Sequence, residues 1–263
     1  MNSLLHNKII FITGAGGVLG KAYIEEMINN GAFVIASDLP GQRANLLKER
    51  FSLNSNFKYY DLDVSNEKEV DVIFNRIQAD GLRPNVVINN AAITGELLMG
   101  AGKSFPDFAN TSLNDWEKTL RVNLTGSFLI ARQMDRDIVG KYSAQLINIA
   151  SMYAFKAPHH DIYEDMPFKS FSAYSSSKAG IHGLTLWLSS YWSKRECNVN
   201  TLAPGAIFNG HSKKFQKRVS DLIINGRMAD PKEIADVMIF LCSDNSRYMN
   251  GQIINVDGGF NAW

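Results

Sequence analysis

The chain has 263 residues, and its 27 Lys and Arg against 26 Asp and Glu leave a formal net charge of +1. That balance excludes a global field drawing in nucleic acid or an anionic membrane, and no apolar run approaches the ~20 residues of a membrane span. The partner is expected to be a small molecule and the location cytoplasmic: Cys197 and Cys242 read as buried hydrophobes of a reducing compartment, and the first residues lack the basic and apolar regions of a secretion signal.

Residues 8–13 are an apolar, β-branched run, the expected first strand, and Gly14-Ala15-Gly16-Gly17 precedes a helical pattern over 18–30. Strand, glycine turn and helix start make either a tight turn or a phosphate cradle. In the cradle, the backbone from Gly14, Gly16 and Gly17 to Val18 and Leu19 approaches a pyrophosphate and points free N–H groups at it. A second strand over 32–37 ends at Asp38. A carboxylate there accepts hydrogen bonds from ribose hydroxyls and repels a 2′-phosphate, so NAD is expected over NADP; the alternative is a solvated loop acid. No Lys or Arg lies between Gly14 and Gly20, and the first base after Asp38 is Arg43, which points the same way.

A third strand over 56–60 leads to Asp63 and Val64, placed to line an adenine pocket unless Asp63 caps the helix over 66–79. The fourth strand, 84–88, is terminated by Asn89, Asn90, Ala91 and Ala92, where small residues let a cofactor lie close to the backbone. Strands alternating with helices without a compositional break predict an α/β fold. The expectation is a single doubly wound, Rossmann-type parallel sheet of seven strands, helices on both faces, as one domain over 1–263 with ligand at the strand C-termini.

A loop over 93–112 precedes a helix over 113–134, in which Asn123 costs helix propensity and is either tolerated or employed elsewhere. Strand 145–150 delivers Ser151. The segment 152–172 carries His159, His160, Asp161, Glu164, Asp165 and five aromatic residues; no spacing there fixes a metal geometry, so a lid or specificity loop is expected and no metal. A helix over 173–195 opens on Tyr174 and Lys178. Their i,i+4 spacing stacks them on one face, where the ammonium would lower the phenol's pKa; the alternative is a surface Tyr covered by a Lys stem. Trp187, Tyr191 and Trp192 on this helix read as core or oligomer interface. Strand 198–203 is broken by Pro204-Gly205. Then come Ile207, Asn209, a basic patch of His211, Lys213, Lys214, Lys217 and Arg218, a helix over 231–242, a strand over 251–256, and an apolar tail from Phe260 to Trp263 expected to bury against another subunit.

The order of these features resembles the short-chain dehydrogenase/reductase family over nearly the whole chain: TGAGGVLG from Thr13 to Gly20, NNAA from Asn89 to Ala92, Asn123, Ser151, YSSSK from Tyr174 to Lys178, Pro204-Gly205, and VDGG near the end. The resemblance implies that Asn123, Ser151, Tyr174 and Lys178 form a catalytic tetrad. It also implies that Asn90, Ala91, Ala92, Tyr174, Lys178, Pro204, Gly205, Ile207 and Asn209 join the glycine turn, Asp38, Asp63 and Val64 around NAD, and that the chain forms a homo-oligomer, tetramer or dimer. Two positions depart from the family pattern. Val18 stands at the middle glycine of Gly-x-x-x-Gly-x-Gly, and Asn209 replaces a Thr that helps hold the nicotinamide carboxamide. The Ser151–Tyr174 separation exceeds the family's usual, similar to members of bacterial surface-glycan pathways such as flagellin modification. The expected reaction is NAD-dependent interconversion of a secondary alcohol and a carbonyl, on a phosphorylated or nucleotide-linked sugar received by the cations of 213–218. The alternatives are a non-catalytic dinucleotide-binding regulator or scaffold, and an epimerase or dehydratase that retains its NAD.

Overall fold

The computed structural model describes residues 3–99 and 106–263. Seven strands, β1 (Ile9–Thr13), β2 (Phe33–Asp38), β3 (Phe57–Asp61), β4 (Val86–Asn89), β5 (Ala144–Ile149), β6 (Cys197–Pro204) and β7 (Ile253–Val256), form one parallel sheet in the order β3-β2-β1-β4-β5-β6-β7. The strand order reverses between β1 and β4, and at such a switch point the connections diverge and open a crevice at the strand C-termini.

Both faces of the sheet are covered, which is why β1 reads as continuously apolar instead of alternating. Ile10 and Ile12 meet Tyr23, Ile24 and Met27 of α1 (Val18–Asn29) and Ile234 and Met238 of α9 (Pro231–Cys242). Phe11, between them, faces the other way into Val70, Ile73 and Phe74 of α3 (Glu67–Ala79), in a layer that includes Leu129 and Ile130 of α6 (Gly126–Asp137) and Leu188 and Trp192 at the end of α7 (Ser172–Tyr191). Fully burying one such side chain contributes about 1.5–3 kcal/mol, so the period-two division of β1 commits the sheet to two helical layers.

Several elements differ from expectation. The stretch after Asp38 holds a helix, α2 (Gln42–Arg50), that buries only Ala44 and Leu47. The loop expected over 93–112 contains α4 (Gly95–Met99) and a 3-10 turn (Phe108–Asn110); its residues 100–105 lie outside the described residues. The helix expected over 113–134 is α5 (Leu113–Leu120), a wide π turn (Arg121–Thr125) and α6 in succession. The helix expected to reach 195 stops at Tyr191, and Lys194 and Glu196 follow in left-handed conformations (φ 64° and 52°) that end its winding. The basic patch is the helix α8 (Lys213–Ser220). Phe260 of the tail is buried within its own chain against Tyr153, while Trp263 donates its indole N–H to the Leu222 carbonyl. Among the described residues, no helix is long and apolar enough to cross a membrane, and no group of three His, Cys, Asp or Glu side chains could hold a metal.

Candidate active site

The crevice floor is a knot between the ends of β1 and β4. The Thr13 hydroxyl accepts the N–H groups of Asn90 (3.2 Å) and Ala91 (3.1 Å), and the Asn90 amide donates to the carbonyls of Thr13 (3.0 Å) and Gly14 (2.9 Å). Gly14 has φ 65°, and a Cβ there would lie 2.6 Å from the Ala91 Cα, so the turn holds only a glycine. α1 then starts at Gly17 without a side-chain cap, leaving the first-turn N–H groups of Val18 and Leu19 for an external acceptor. Val18, at the middle-glycine position, is 39% exposed at this helix start.

Asp38 is not a free loop acid. Its carboxylate accepts N–H groups from Gly16 (2.7 Å) and Leu39 (2.8 Å), which fixes it at the rim of the glycine turn. Arg43 sits closer than expected: a Cβ on Gly16 would lie 3.0 Å from both the Arg43 Cβ and the Asp38 carboxylate, so the root of a cation packs on the same rim. At the end of β3, Asp63 closes a turn by accepting the Ser65 N–H (2.9 Å) and hydroxyl (2.7 Å); the cap of α3 is Asn66. Val64 is buried against Gly126, where a Cβ would come within 2.8 Å of its side chain.

At the other side of the crevice α7 presents Tyr174 and Lys178 on one face, the ammonium 5.8 Å from the Tyr174 ring centroid and donating to the Ile149 carbonyl at 2.7 Å. The Ser151 hydroxyl lies close enough to the Tyr174 phenol to lower its pKa, and it accepts the Tyr153 N–H at 3.2 Å. Asn123 lies in the π turn, where the Gly126 N–H reaches five residues back to the Arg121 carbonyl. Its amide oxygen accepts from Ile93 N–H (2.7 Å), and its nitrogen donates to the Ile93 carbonyl (3.2 Å) and the Ser177 hydroxyl (3.1 Å). Ser177 in turn donates to the Tyr174 carbonyl at 2.7 Å. The four residues singled out in the sequence are thus brought together by β5, the π turn and α7.

Their electrostatics correct one expectation. Burial holds the Tyr174 phenol above its ordinary pKa, partly offset by Ser151, and Lys178 is not among the groups that move it. The ammonium lies over the ring, is committed to Ile149, and is itself pushed down to about 8 by burial. Desolvation of both groups outweighs their attraction.

The chain matches the family model described as enoyl-(acyl carrier protein) reductase over residues 14–261. It is 30% identical to the 3-oxoacyl-(acyl-carrier-protein) reductase FabG of Aquifex aeolicus over 267 aligned positions, spanning 98% of this chain and 99% of that protein. The chain belongs to the short-chain dehydrogenase/reductase family. Among solved structures it is similar to a short chain dehydrogenase from Leptospira borgpetersenii with bound NAD+ (27% identity, TM-score 0.83, 97% of this chain and 93% of that one). In fold it is also similar to a gluconate 5-dehydrogenase from Burkholderia cenocepacia in complex with NADP and tartrate (23% identity, TM-score 0.85, 100% and 98%).

A short-chain dehydrogenase/reductase works on alcohol and carbonyl groups with a nicotinamide dinucleotide, and these residues fit that group: the glycine-only turn at Gly14 and the uncapped start of α1 make a cradle for an anion. On the far side, Pro204 ends β6, and a Cβ on Gly205 would lie 2.6 Å from the Asp257 Cα, so the Asp257-Gly258-Gly259 turn packs directly on Pro204-Gly205. Ile207 pairs with Ala229 as an isolated parallel bridge, and Asn209 is exposed, its N–H donating to the His211 Nδ1 at 3.3 Å.

Beside Tyr174 a cleft of about 220 Å³ is walled mainly by Met152, Tyr153, Tyr163, Phe168, Phe215 and Phe260. The segment 152–172 is therefore a wall built from two 3-10 turns (Met152–Ala154 and His160–Tyr163) packed on α8. Sequence reasoning gave no part to Thr13, Ile93, Ser177, Tyr153 or Tyr163. The signal for Ser177 was its place one turn beyond Tyr174 on the helix face. Ile93 carried none, because it enters through its backbone.

Proposed function

We propose that the chain transfers hydride between NAD and a secondary alcohol or carbonyl carbon, with Tyr174 as the proton donor or acceptor. The observation that carries this reading is the convergence of the Tyr174 phenol, the Ser151 hydroxyl and the Lys178 ammonium beside the glycine crevice. The bound nicotinamide would accept or supply the hydride. Ser151 would orient the substrate oxygen, and Tyr174 would pass its phenolic proton to that oxygen as the carbonyl is reduced, or take it back in the oxidation. Asn123 acts through other groups: its amide bonds Ile93 and Ser177, so it positions α7 and the chain after β4. A non-catalytic binder would not require this convergence, and an NAD-retaining epimerase would show turnover without net change in NADH.

NAD preference rests on Asp38, whose carboxylate repels a 2′-phosphate; Arg43, now beside it, no longer argues for NAD. The protein is expected to use NADH about 10- to 100-fold better than NADPH in kcat/KM, the range of one or two charge-assisted hydrogen bonds. Asp38→Ala should erase most of that ratio by raising the KM for NADH. Equal use of the two cofactors by the native protein would sink the assignment.

The phosphorylated or nucleotide-linked sugar loses its expected receptor. Lys214 pairs with Asp165 (3.1 Å), Lys217 with Asp221 (3.0 Å), and Arg218 donates to the carbonyls of Ile162 and Glu164. Among the described cations only Lys169 lines the cleft. One domain over 1–263 in a reducing cytoplasm accords with the two buried free thiols. A homo-oligomer, tetramer or dimer, is supported by the exposed Trp187–Tyr191 stack (4.6 Å) beside Leu186 on α7. Sedimentation of a single-chain species at micromolar concentration would overturn it.

A further inference from the structure

In the cleft wall the hydroxyls of Tyr153 and Tyr163 are 2.7 Å apart, and the two residues are only 9% and 8% exposed. Each phenol carries one proton and one is shared within the pair. The other has no acceptor among the described residues, and leaving a buried donor unmade is costly. The Ser170 hydroxyl, also in the cleft wall, is buried without a partner among the described residues. Most of the rest of the wall is apolar, built on Met152, Ile162, Phe168, Phe215, Val219 and Phe260, with Thr94, Lys169 and His211 as its polar members. Burial raises the pKa of both phenols, and Tyr174 contributes to each rise, which places the pair within electrostatic range of the reacting phenol. Both phenols therefore stay neutral at physiological pH, and the one whose proton is not shared can donate.

From this juxtaposition we infer that the substrate is an uncharged, largely apolar ketone or alcohol carrying a second oxygen, which accepts the spare proton of the Tyr153–Tyr163 pair while the first oxygen meets Tyr174 and Ser151. The assignment rests on the redox reading above and deepens it. The buried part of the wall holds no Lys or Arg to offset the desolvation of a phosphate; Lys169, the one such residue among the described lining, is exposed. The wall tolerates a ring skeleton, and the cavity volume suits a small alicyclic or aromatic one. The second oxygen supplies specificity, because a site built to hydrogen-bond a substrate oxygen discriminates against the analogue that lacks it.

The test compares cyclohexanone and decalone with the same skeletons bearing a second, non-adjacent ring carbonyl, and with a hexose phosphate. Turnover is followed by NADH oxidation, and binding by calorimetry on the protein saturated with NADH. The native protein is expected to favour the dione about tenfold over the monoketone in kcat/KM and in affinity. In the double variant Tyr153→Phe/Tyr163→Phe that ratio should fall to about one, with thermal melts confirming that the variant folds. A ratio unchanged in that variant, no binding of any dione, or tighter binding of the hexose phosphate would overturn the inference. Dione-selective binding without turnover of any ketone would overturn the redox reading and leave the subsite standing.

Discussion

Tyr174→Phe is expected to lower kcat by about 10²- to 10⁴-fold and to leave NADH affinity within about threefold of native. The substitution deletes only the hydroxyl. The ring keeps its place beside the cluster of Tyr153, Tyr163, Phe215 and Phe260, so the cleft keeps its shape and what disappears is the proton that the substrate oxygen must gain or lose. Stopped-flow turnover and calorimetric titration of NADH separate the two quantities, and a variant retaining more than a tenth of native kcat would remove Tyr174 from the mechanism. The sign of the pH dependence follows from the same group. Burial holds the phenol above its ordinary value, so the acid needed for carbonyl reduction is present at pH 7, whereas alcohol oxidation, which needs the phenolate, should rise with pH.

The second large effect belongs to Lys178. Lys178→Met removes the hydrogen bond to the Ile149 carbonyl and the cation 5.8 Å from the Tyr174 ring centroid, and a loss of about 10²-fold or more in kcat is expected. Stability should report the same residue independently. Burial depresses the folded-state pKa of Lys178 to about 8 from 10.5, so between those values the unfolded chain holds a proton that the folded chain has shed. In that window the stability difference, native minus Lys178→Met, should rise with pH, by up to about 3 kcal/mol. Subtracting the variant cancels the buried thiols Cys197 and Cys242, whose raised pKa values act in the opposite direction over part of the range. A difference that stays flat from pH 7 to 10 would show that Lys178 titrates as an exposed lysine does.

How much of this was legible depended on how each residue does its work. The strands were legible because a parallel sheet buried on both faces leaves continuous apolar runs, and Ile10, Phe11 and Ile12 could belong to little else. Ser151, Tyr174 and Lys178 were legible because their spacing and their places at element ends carry the information. α2 was not, since Ala44 and Leu47 alone bury and a nine-residue helix with so little apolar stripe has no period to detect. α8 carried a signal that its lysines masked: Ser212 caps it by accepting the Phe215 N–H, and Phe215 and Val219 are buried at i,i+4. The pairing of Lys214 with Asp165 was hidden because that neighbour is distant in sequence, whereas Lys217 and Asp221 stand at i,i+4 and become readable once the helix is seen. The Tyr153–Tyr163 pair was hidden as well, its partners meeting only once the segment folds into two short turns. The pKa of Tyr174 failed differently: the Lys partner was found where expected, but burial sets the shift and Lys178 does not enter it.

The wide turn at Arg121–Thr125 means that part of the site is written as a residue count. Regular α winding advances about 100° per residue, so an insertion or deletion of one residue upstream in that helix would swing Asn123 to a different azimuth and part it from both Ile93 and Ser177. Drift by substitution alone can neither create nor repair such a bulge. Homologous chains that align through this helix with a single-residue gap should therefore have lost the clasp on α7, whatever amino acid they carry in the column of Asn123.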